Sequence, residues 1–557
     1  MPGRAPRQVT GNPAKTVNSR RLSRGGKGII HTDVVVIGSG GAGLTAAISS
    51  AEEGCSVTVL SKTATGAASA TSYSSGFFTF PDDDLSAGEY RDLVRGVGKN
   101  ISREDLLEAL GEQARDCLLQ LRSWGATLRF LGGGHATVID SARVPMTSGS
   151  GLVSELRDIA SDKGVTFLEN VFVTRLLVEG GRVFGVDHLD WTTGEAGRLF
   201  SKAVILATGG AGQIFLRNDT PARVTGDGYA LALESGLALE DMEFIQFYPL
   251  GFDEPRFPCW MIRLPVLDLA RLTDGSGREF LREEMKARGL RDGMAVSLFA
   301  RDMAARLIQE KLAAGGEVLL HLEDIERSRW GEWDLRKSLG CYPHGVTPWE
   351  YGPVHVSPLA HYFSGGVAID ARASTSIEGL FAAGEVTGGV DGASRVGGNA
   401  LTGMVFSGIT AGRGAARLAL SASPHPFKPG EGPQKSGFTR GRGPSPRALK
   451  GEIKRLNQEC LGPLREEGSI LRGLSTLEEY RRSLPAMTIV KPTDLLEALE
   501  LRSMILASLA VGYSALSREE SRGVHFRTDH PREVPGFERP QEVRIEGGRF
   551  VTRFKDR

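Results

Sequence analysis

The segment Gly38-Ser39-Gly40-Gly41-Ala42-Gly43 constrains this chain more than any other feature. It follows an apolar run from Val34 to Ile37 and precedes an Ala-rich stretch, Leu44 to Ala51, after which Val57 to Leu60 is apolar again. Strand, glycine turn, helix and strand in that order open a parallel βαβ unit. The spacing has a mechanical meaning there. The first glycine makes the tight turn, the second lets backbone approach a pyrophosphate, and the third lets helix and strand pack closely, while the helix N-terminus meets the phosphate charge. Gly38, Ser39, Gly40, Gly41, Ala42 and Gly43 are therefore expected to hold a dinucleotide. The acid that often closes on the ribose after the second strand is absent, and Ser61-Lys62 stands in its place.

Glycine is also the compositional outlier, at 72 of 557 residues, nearly twice the usual share of about 7 %. Seventeen of these lie in 38–43, 209–212, 226–228, 365–366 and 384–398, so the excess is concentrated in a few loops. The 67 basic residues are balanced by 67 acidic ones, which argues against nucleic acid or a polybasic membrane contact as the main partner. With 40 % apolar and 24 % charged residues, the chain can bury a large core, and its length suits several units. The five cysteines lie far apart and form no CxxC, which argues against a disulfide framework and against a zinc or iron–sulfur site within the chain. No metal ligands are expected. No run approaches the roughly 18 uncharged apolar residues of a membrane helix, so direct membrane insertion is not expected.

Residues 1–30 hold seven Lys or Arg and no acid, and read as a disordered basic tail. Ser19-Arg20-Arg21 is similar to a twin-arginine export signal, but no apolar region follows it, so the cytoplasm is the expected location. Short β-rich runs from Val165 to Ala207 suggest a meander and a buried strand. A first dinucleotide-binding part is expected over 31–240 and an inserted domain over 241–355, with a helical stretch from Ala295 to Leu312. The binding domain resumes over 356–422, a Pro/Gly-rich linker follows over 423–447, and a helical module fills 448–557, with Leu495, Leu496, Leu499 and Ile505 at helical spacing.

Several further segments occur in a telling order. They are Ala207-Thr208-Gly209-Gly210, Thr225-Gly226-Asp227-Gly228, Phe244-Ile245-Gln246-Phe247, Ala360-His361-Tyr362, Ala382-Ala383-Gly384-Glu385, Ser394-Arg395-Val396-Gly397-Gly398-Asn399-Ala400-Leu401 and Glu520-Ser521-Arg522-Gly523. With Ser61-Lys62, this ordered set resembles the fumarate reductase/succinate dehydrogenase flavoprotein family, to which L-aspartate oxidase is related. The resemblance runs over roughly residues 31–530. It implies an α/β chain: a Rossmann-like FAD-binding domain with an inserted α+β capping domain and a C-terminal helical domain. It further implies FAD, with Ser61 and Lys62 near the ribose, Thr208 and Gly209 in the second flavin loop, Asp227 and Glu385 near flavin-proximal hydroxyls, and Ala400 and Leu401 against the ring. Members that attach FAD covalently use a His in a Ser-His-Thr segment. Here Ser69-Ala70-Thr71 is found, so non-covalent FAD is expected.

By the same resemblance Arg301, in Leu298-Phe299-Ala300-Arg301-Asp302, is the proton donor, and His361 and Arg395 bind substrate carboxylate. Planar bidentate pairing suits Arg for that task. The capping segment departs from the family. Phe247-Tyr248-Pro249-Leu250 replaces Phe-His-Pro-Thr, and Ile262-Arg263-Leu264-Pro265-Val266-Leu267-Asp268 replaces the segment with the proton-relay Glu and Arg. Tyr248 can still donate a hydrogen bond, and Arg263 is the candidate for the lost cation. The substrate is expected to be a small carboxylate that is not necessarily fumarate.

The chain holds neither a cluster motif nor a second GxGxxG for a nicotinamide. Electrons are therefore expected to pass through a partner, and the resemblance implies an iron–sulfur subunit. A related flavoprotein acting on an amino acid or a bulkier enoate is one alternative reading. A non-catalytic FAD electron-transfer subunit is another; the altered capping segment favours it, and retention of Arg301, His361 and Arg395 opposes it.

Overall fold

The computed structural model describes residues 30–138, 148–326, 328–329, 352–422 and 442–556, apart from Arg256, Ser483 and Pro485. The basic tail up to residue 29 and most of the expected linker lie outside the described residues. The main sheet runs Thr166–Glu169, Val57–Ser61, Ile30–Ile37, Glu195–Leu206, Arg182–Asp190 and Val171–Glu179, and Leu380–Ala382 also pairs with Glu195–Leu206. Ile30–Ile37 is parallel to both neighbours, with Val34 opposite Val57 and Ala203. Val34, Val35 and Val36 are completely buried, as strands covered on both faces require.

The expected meander divides between two parts of this sheet. Thr166–Glu169 extends the parallel half, while Val171–Glu179, Arg182–Asp190 and Glu195–Leu206 are antiparallel. The last of these starts well before the apolar run at Val204. Its first half pairs with Arg182–Asp190 and its end with Leu380–Ala382, so ladder bonds rather than apolar side chains define its start.

The helix Gly41–Glu52 packs on the helix Asn399–Ser421 through small residues. A Cβ on Gly412 would lie 2.5 Å from the Ala46 carbonyl oxygen, and one on Gly408 2.9 Å from that of Ala42. The hydroxyls of Ser49 and Ser50 donate to the carbonyls of Ile409 and Gly412 across this contact. Part of the glycine excess outside the loops thus serves close helix packing.

A second sheet, Ile245–Phe252, Val354–Phe363, Val318–Leu320 and Leu272–Asp274, has its own apolar core, including Leu250, Ile262, Val296, Ile308 and Leu359. The stretch expected as one helix is two helices, Gly293–Phe299 and Arg301–Ala313, broken at Ala300 (φ −142°, ψ 31°). Two carbonyls of the first helix are drawn elsewhere. Leu298 accepts from the Gly397 amide, and Ser297 accepts from Arg301 Nε. The break leaves Arg301 at the first position of a new helix.

The C-terminal part packs the helices Pro446–Cys460, Glu467–Arg482 and Pro492–Ser517. Its last strands, Gln541–Glu546 and Arg549–Phe554, join a sheet with Leu239–Glu240 and Gly366–Val367. Val524 N donates to the Ala393 carbonyl at 2.9 Å. Gly523 makes that approach at φ +55°, where a Cβ would lie 2.1 Å from the same oxygen. The loop carrying Arg395 is therefore held from the far end of the chain. Among the described residues, no helix is long and apolar enough to cross a membrane.

Candidate active site

A cavity of about 400 Å³ runs between the glycine loop and the second sheet. All the candidate site residues named above except Gly43 line it. Gly43 sits behind the loop, where a Cβ would stand 2.0 Å from the Gly38 carbonyl oxygen. Gly38 adopts φ +110°, and a Cβ there would meet the Ala207 carbonyl at 2.2 Å. The amides of Ala42 and Gly43, in the first turn of the helix, have no hydrogen-bond partner among the described residues, and Gly40 offers no side-chain cap. Unpaired donors at the positive end of a helix, approached by bare glycine backbone, fit a pyrophosphate. Ser39 and Ser61 share a hydroxyl–hydroxyl bond of 2.8 Å beside this loop.

Lys62 and Asp227 face one another. Lys62 Nζ lies 2.5 Å from Asp227, 2.8 Å from Thr225 Oγ1 and 3.0 Å from Glu500 Oε1. Glu500, on the helix Pro492–Ser517 and wholly buried, also binds Lys450 at 2.6 Å and Arg223 at 2.8 Å. Burial alone would raise its pKa, but Lys62, Lys450 and Arg223 outweigh that and hold it down at about 2. The sequence reading missed Glu500, because an acid within an apolar helix gives no sign of three distant cations.

Toward the inner end, Thr208, Gly209, Glu385, Ala400 and Leu401 line the wall. Gly209 (φ +74°) has open space where its Cβ would stand. Burial pushes Glu385 up to about 7, although it accepts from the Phe363 amide at 3.2 Å. Ala70 lines the same cavity and offers no nucleophile for a covalent flavin link.

The reacting end is built around Gln246. Its Oε1 accepts from Arg395 Nη2 at 2.9 Å and from Arg301 Nη1 at 3.3 Å, and its Nε2 donates to the Arg395 carbonyl at 3.1 Å. Arg301 is fixed further by Nε to the Ser297 carbonyl at 2.6 Å, and it lies over the Tyr248 ring at 5.3 Å. Burial, and then Arg395, lower its pKa to about 10; its place at a helix N-terminus acts in the same direction. Arg395 is buried and stacks on Tyr362 at 4.2 Å, and its Nε has no hydrogen-bond partner among the described residues. Tyr362 in turn donates to Asp391 at 3.0 Å.

His361 owes its direction to a β-bulge. Gln246 pairs with Tyr362 and Phe247 with Ala360, which leaves His361 as the extra residue. Its Nδ1 lies 2.7 Å from Asp219 Oδ2. Burial lowers its pKa, as do Arg395 and Arg301, against the opposing pull of Asp219. The Tyr248 hydroxyl accepts from the Leu264 amide at 3.0 Å, and its ring lies 5.3 Å from that of His361. Arg263 lines the cavity without an ion-pair partner among the described residues. Asp268, at the end of the same segment, is exposed and accepts from the Gly293 amide. Gln246 and Asp219 were not singled out from sequence. Gln246 lay within a motif with no sign of its role, and Asp219 lies in a loop without one.

The FAD binding domain family matches residues 33–401, and the fumarate reductase flavoprotein C-terminal family matches residues 450–542. A fumarate reductase (CoM/CoB) subunit of Methanothermobacter marburgensis is 31 % identical over 541 residues, covering 92 % of this chain and 96 % of that protein. L-aspartate oxidase of Streptomyces coelicolor is 31 % identical over 531 residues, covering 90 % and 89 %. The solved structure of Mycobacterium smegmatis Sdh1 in complex with UQ1 superposes with a TM-score of 0.80 at 28 % identity, covering 94 % of each chain. This chain thus belongs to the fumarate reductase/succinate dehydrogenase flavoprotein family and is an FAD-dependent oxidoreductase.

Proposed function

We propose that this protein reduces or desaturates a C–C bond next to a carboxylate, with Arg301 moving the proton. The observation that carries the reading is the pair of guanidiniums, Arg301 and Arg395, tied to one oxygen of Gln246 at the end of the cavity. FAD, when bound, supplies the hydride chemistry at one carbon. The residues here handle the other carbon and the carboxylate. Arg395, with an Nε unpartnered among the described residues and a fixed plane over Tyr362, suits the two oxygens of a carboxylate. Arg301 is the proton donor in reduction and the acceptor in oxidation. Burial and a neighbouring cation make it a stronger acid than a solvated arginine. Gln246 keeps the two cations apart while satisfying both, which holds the acid in place beside a bound carboxylate. Tyr248 covers the Arg301 face, and Arg263 adds a cation at the rim.

The test is anaerobic reoxidation. Holoprotein reduced with dithionite and mixed with fumarate, crotonate or 4-aminocrotonate is expected to reoxidise faster with at least one of them than in buffer. No acceleration by any of the three rejects the reading.

FAD is read as non-covalently held, since Ala70 cannot form the link. Acid precipitation is expected to leave the flavin in the supernatant, and a yellow pellet would contradict this. Relatives named as subunits, such as the fumarate reductase (CoM/CoB) protein of Methanothermobacter marburgensis, support an electron-transfer partner. We read that partner as an iron–sulfur protein and the working location as the cytoplasm, with the membrane reached only through partners.

A further inference from the structure

The sequence departures at Tyr248 and Arg263 leave open what the second end of the substrate meets. The structure puts an acid there. Asp219 lines the cavity, its side chain is 7 % exposed, and one oxygen, Oδ2, binds His361 Nδ1 at 2.7 Å. The other, Oδ1, has no hydrogen-bond partner among the described residues. Its position is fixed from behind. The Asp219 amide donates to the Ala360 carbonyl at 3.3 Å. Neighbouring Asn218 bridges to Ala360, accepts from Gln213 at 2.8 Å and donates to Phe215 at 2.9 Å. The acid is therefore built into the wall and is not a surface side chain lying across it.

This changes what His361 can offer. A histidine that binds a substrate carboxylate has to aim an N–H at it. Here Nδ1 is taken by Asp219. A neutral ring with its proton on Nδ1 presents a lone pair at Nε2, which repels a carboxylate. A charged ring is neutralised by Asp219, so the pair brings no net cation in either state. Burial and the two arginines favour the neutral ring. Tyr248, whose ring lies beside His361, is neutral as well, since burial raises its pKa. Of the cations, Arg395 and Arg301 are held together by Gln246 for one carboxylate, while Arg263 stands at the rim of the cavity. Asp219 and His361 then accept hydrogen bonds and carry negative charge, beside a Tyr248 hydroxyl that accepts from Leu264 and keeps its own proton to donate.

We propose that Asp219 and His361 form an acceptor subsite, so that the substrate is a monocarboxylate whose other end carries a protonated amine and is not a dicarboxylate. The inference rests on the reading that this cavity binds a carboxylate beside FAD. It adds a selectivity built partly by repulsion, since a fixed acid with one oxygen open to the cavity excludes the dicarboxylate more than it attracts the amine.

The test uses two ligands of similar length, succinate and 3-aminopropanoate, titrated into oxidised holoprotein and followed by the flavin absorbance change or by calorimetry. Wild type is expected to bind 3-aminopropanoate at least tenfold more tightly than succinate. Asp219→Asn is expected to reduce that preference at least tenfold. Flavin content, measured alongside, shows whether the variant is folded. Equal or tighter binding of succinate by wild type overturns the proposal, as does measurable binding of neither ligand. An unchanged preference in a flavin-replete Asp219→Asn protein also overturns it. If that variant does not hold flavin, the wild-type preference decides alone. Binding is read without turnover, so failure of all three enoates to reoxidise the flavin rejects the proposed reaction and leaves this selectivity to be judged separately.

Discussion

Arg301→Lys is expected to lower turnover about a thousandfold or more, within the range that a positioned general acid supplies, while flavin content and folding stay near wild type. Lysine keeps the charge and loses the geometry. The guanidinium spans the Ser297 carbonyl through Nε at 2.6 Å, the Gln246 oxygen through Nη1 at 3.3 Å and the Ser297 hydroxyl through Nη2 at 3.3 Å. An ammonium is a single compact centre that cannot make this fork, and its stem cannot replace the planar contact with Tyr248. The loss should appear in kcat more than in KM, because Arg395 still holds the carboxylate. Folding should be little affected, since a cation at the first position of a helix opposes the helix dipole and contributes little to stability. Stopped-flow reoxidation with the best substrate checks this, with thermal unfolding as the control. Turnover within tenfold of wild type would show that the proton comes from another group.

Glu500→Gln is expected to destabilise the protein by about 3 kcal/mol at pH 7, the scale found when one member of a buried ion cluster is removed. Glu500 is wholly buried and is shared by Lys62, Lys450 and Arg223. Glutamine keeps the shape but leaves three cations around a neutral amide. Lys62 would then keep Asp227 as its charged partner, beside the Thr225 hydroxyl, and because Lys62 and Asp227 line the cavity, flavin affinity should fall too. The pH dependence has a definite sign. The carboxyl is held at about 2 in the fold, below its ordinary 4.5. Its contribution is therefore complete above pH 4.5 and is lost as pH falls from there toward 2. Wild type and variant should differ most near neutrality and converge in acid. Chemical denaturation at pH 7 and pH 3 measures this, and a difference under about 1 kcal/mol at pH 7 would mean that the three cations are satisfied without Glu500.

How far the sequence could be read depended on how local each feature is. The glycine loop at 38–43 was legible because every requirement it meets lies within a few residues: a tight turn at Gly38, a backbone contact at Gly43 and free amides at the helix start. The parallel strands were legible for a similar reason, as short continuous apolar runs. The helix expected over Ala295–Leu312 was only half legible. Its residues favour helix throughout, and the break at Ala300 comes from the Gly397 amide reaching the Leu298 carbonyl. The C-terminal strands could not be placed in a sheet from sequence, because their pairing partner, Leu239–Glu240, lies some 300 residues earlier. The glycines at 408 and 412 could not be assigned from sequence, since what they admit is another helix.

By itself, then, the sequence determined the family, the FAD-type α/β fold and which segments approach the dinucleotide, because those demands are carried by ordered short motifs. Only the tertiary structure decided how the reacting end is wired. Gln246 meets Arg301 across 55 positions of chain and Arg395 across 149. Asp219 meets His361 across 142, and only because a bulge turns that histidine toward it. A carboxylate among buried cations and rings has no periodicity or motif to announce it. Its effect depends on distance and desolvation, which exist only once the chain has closed around it.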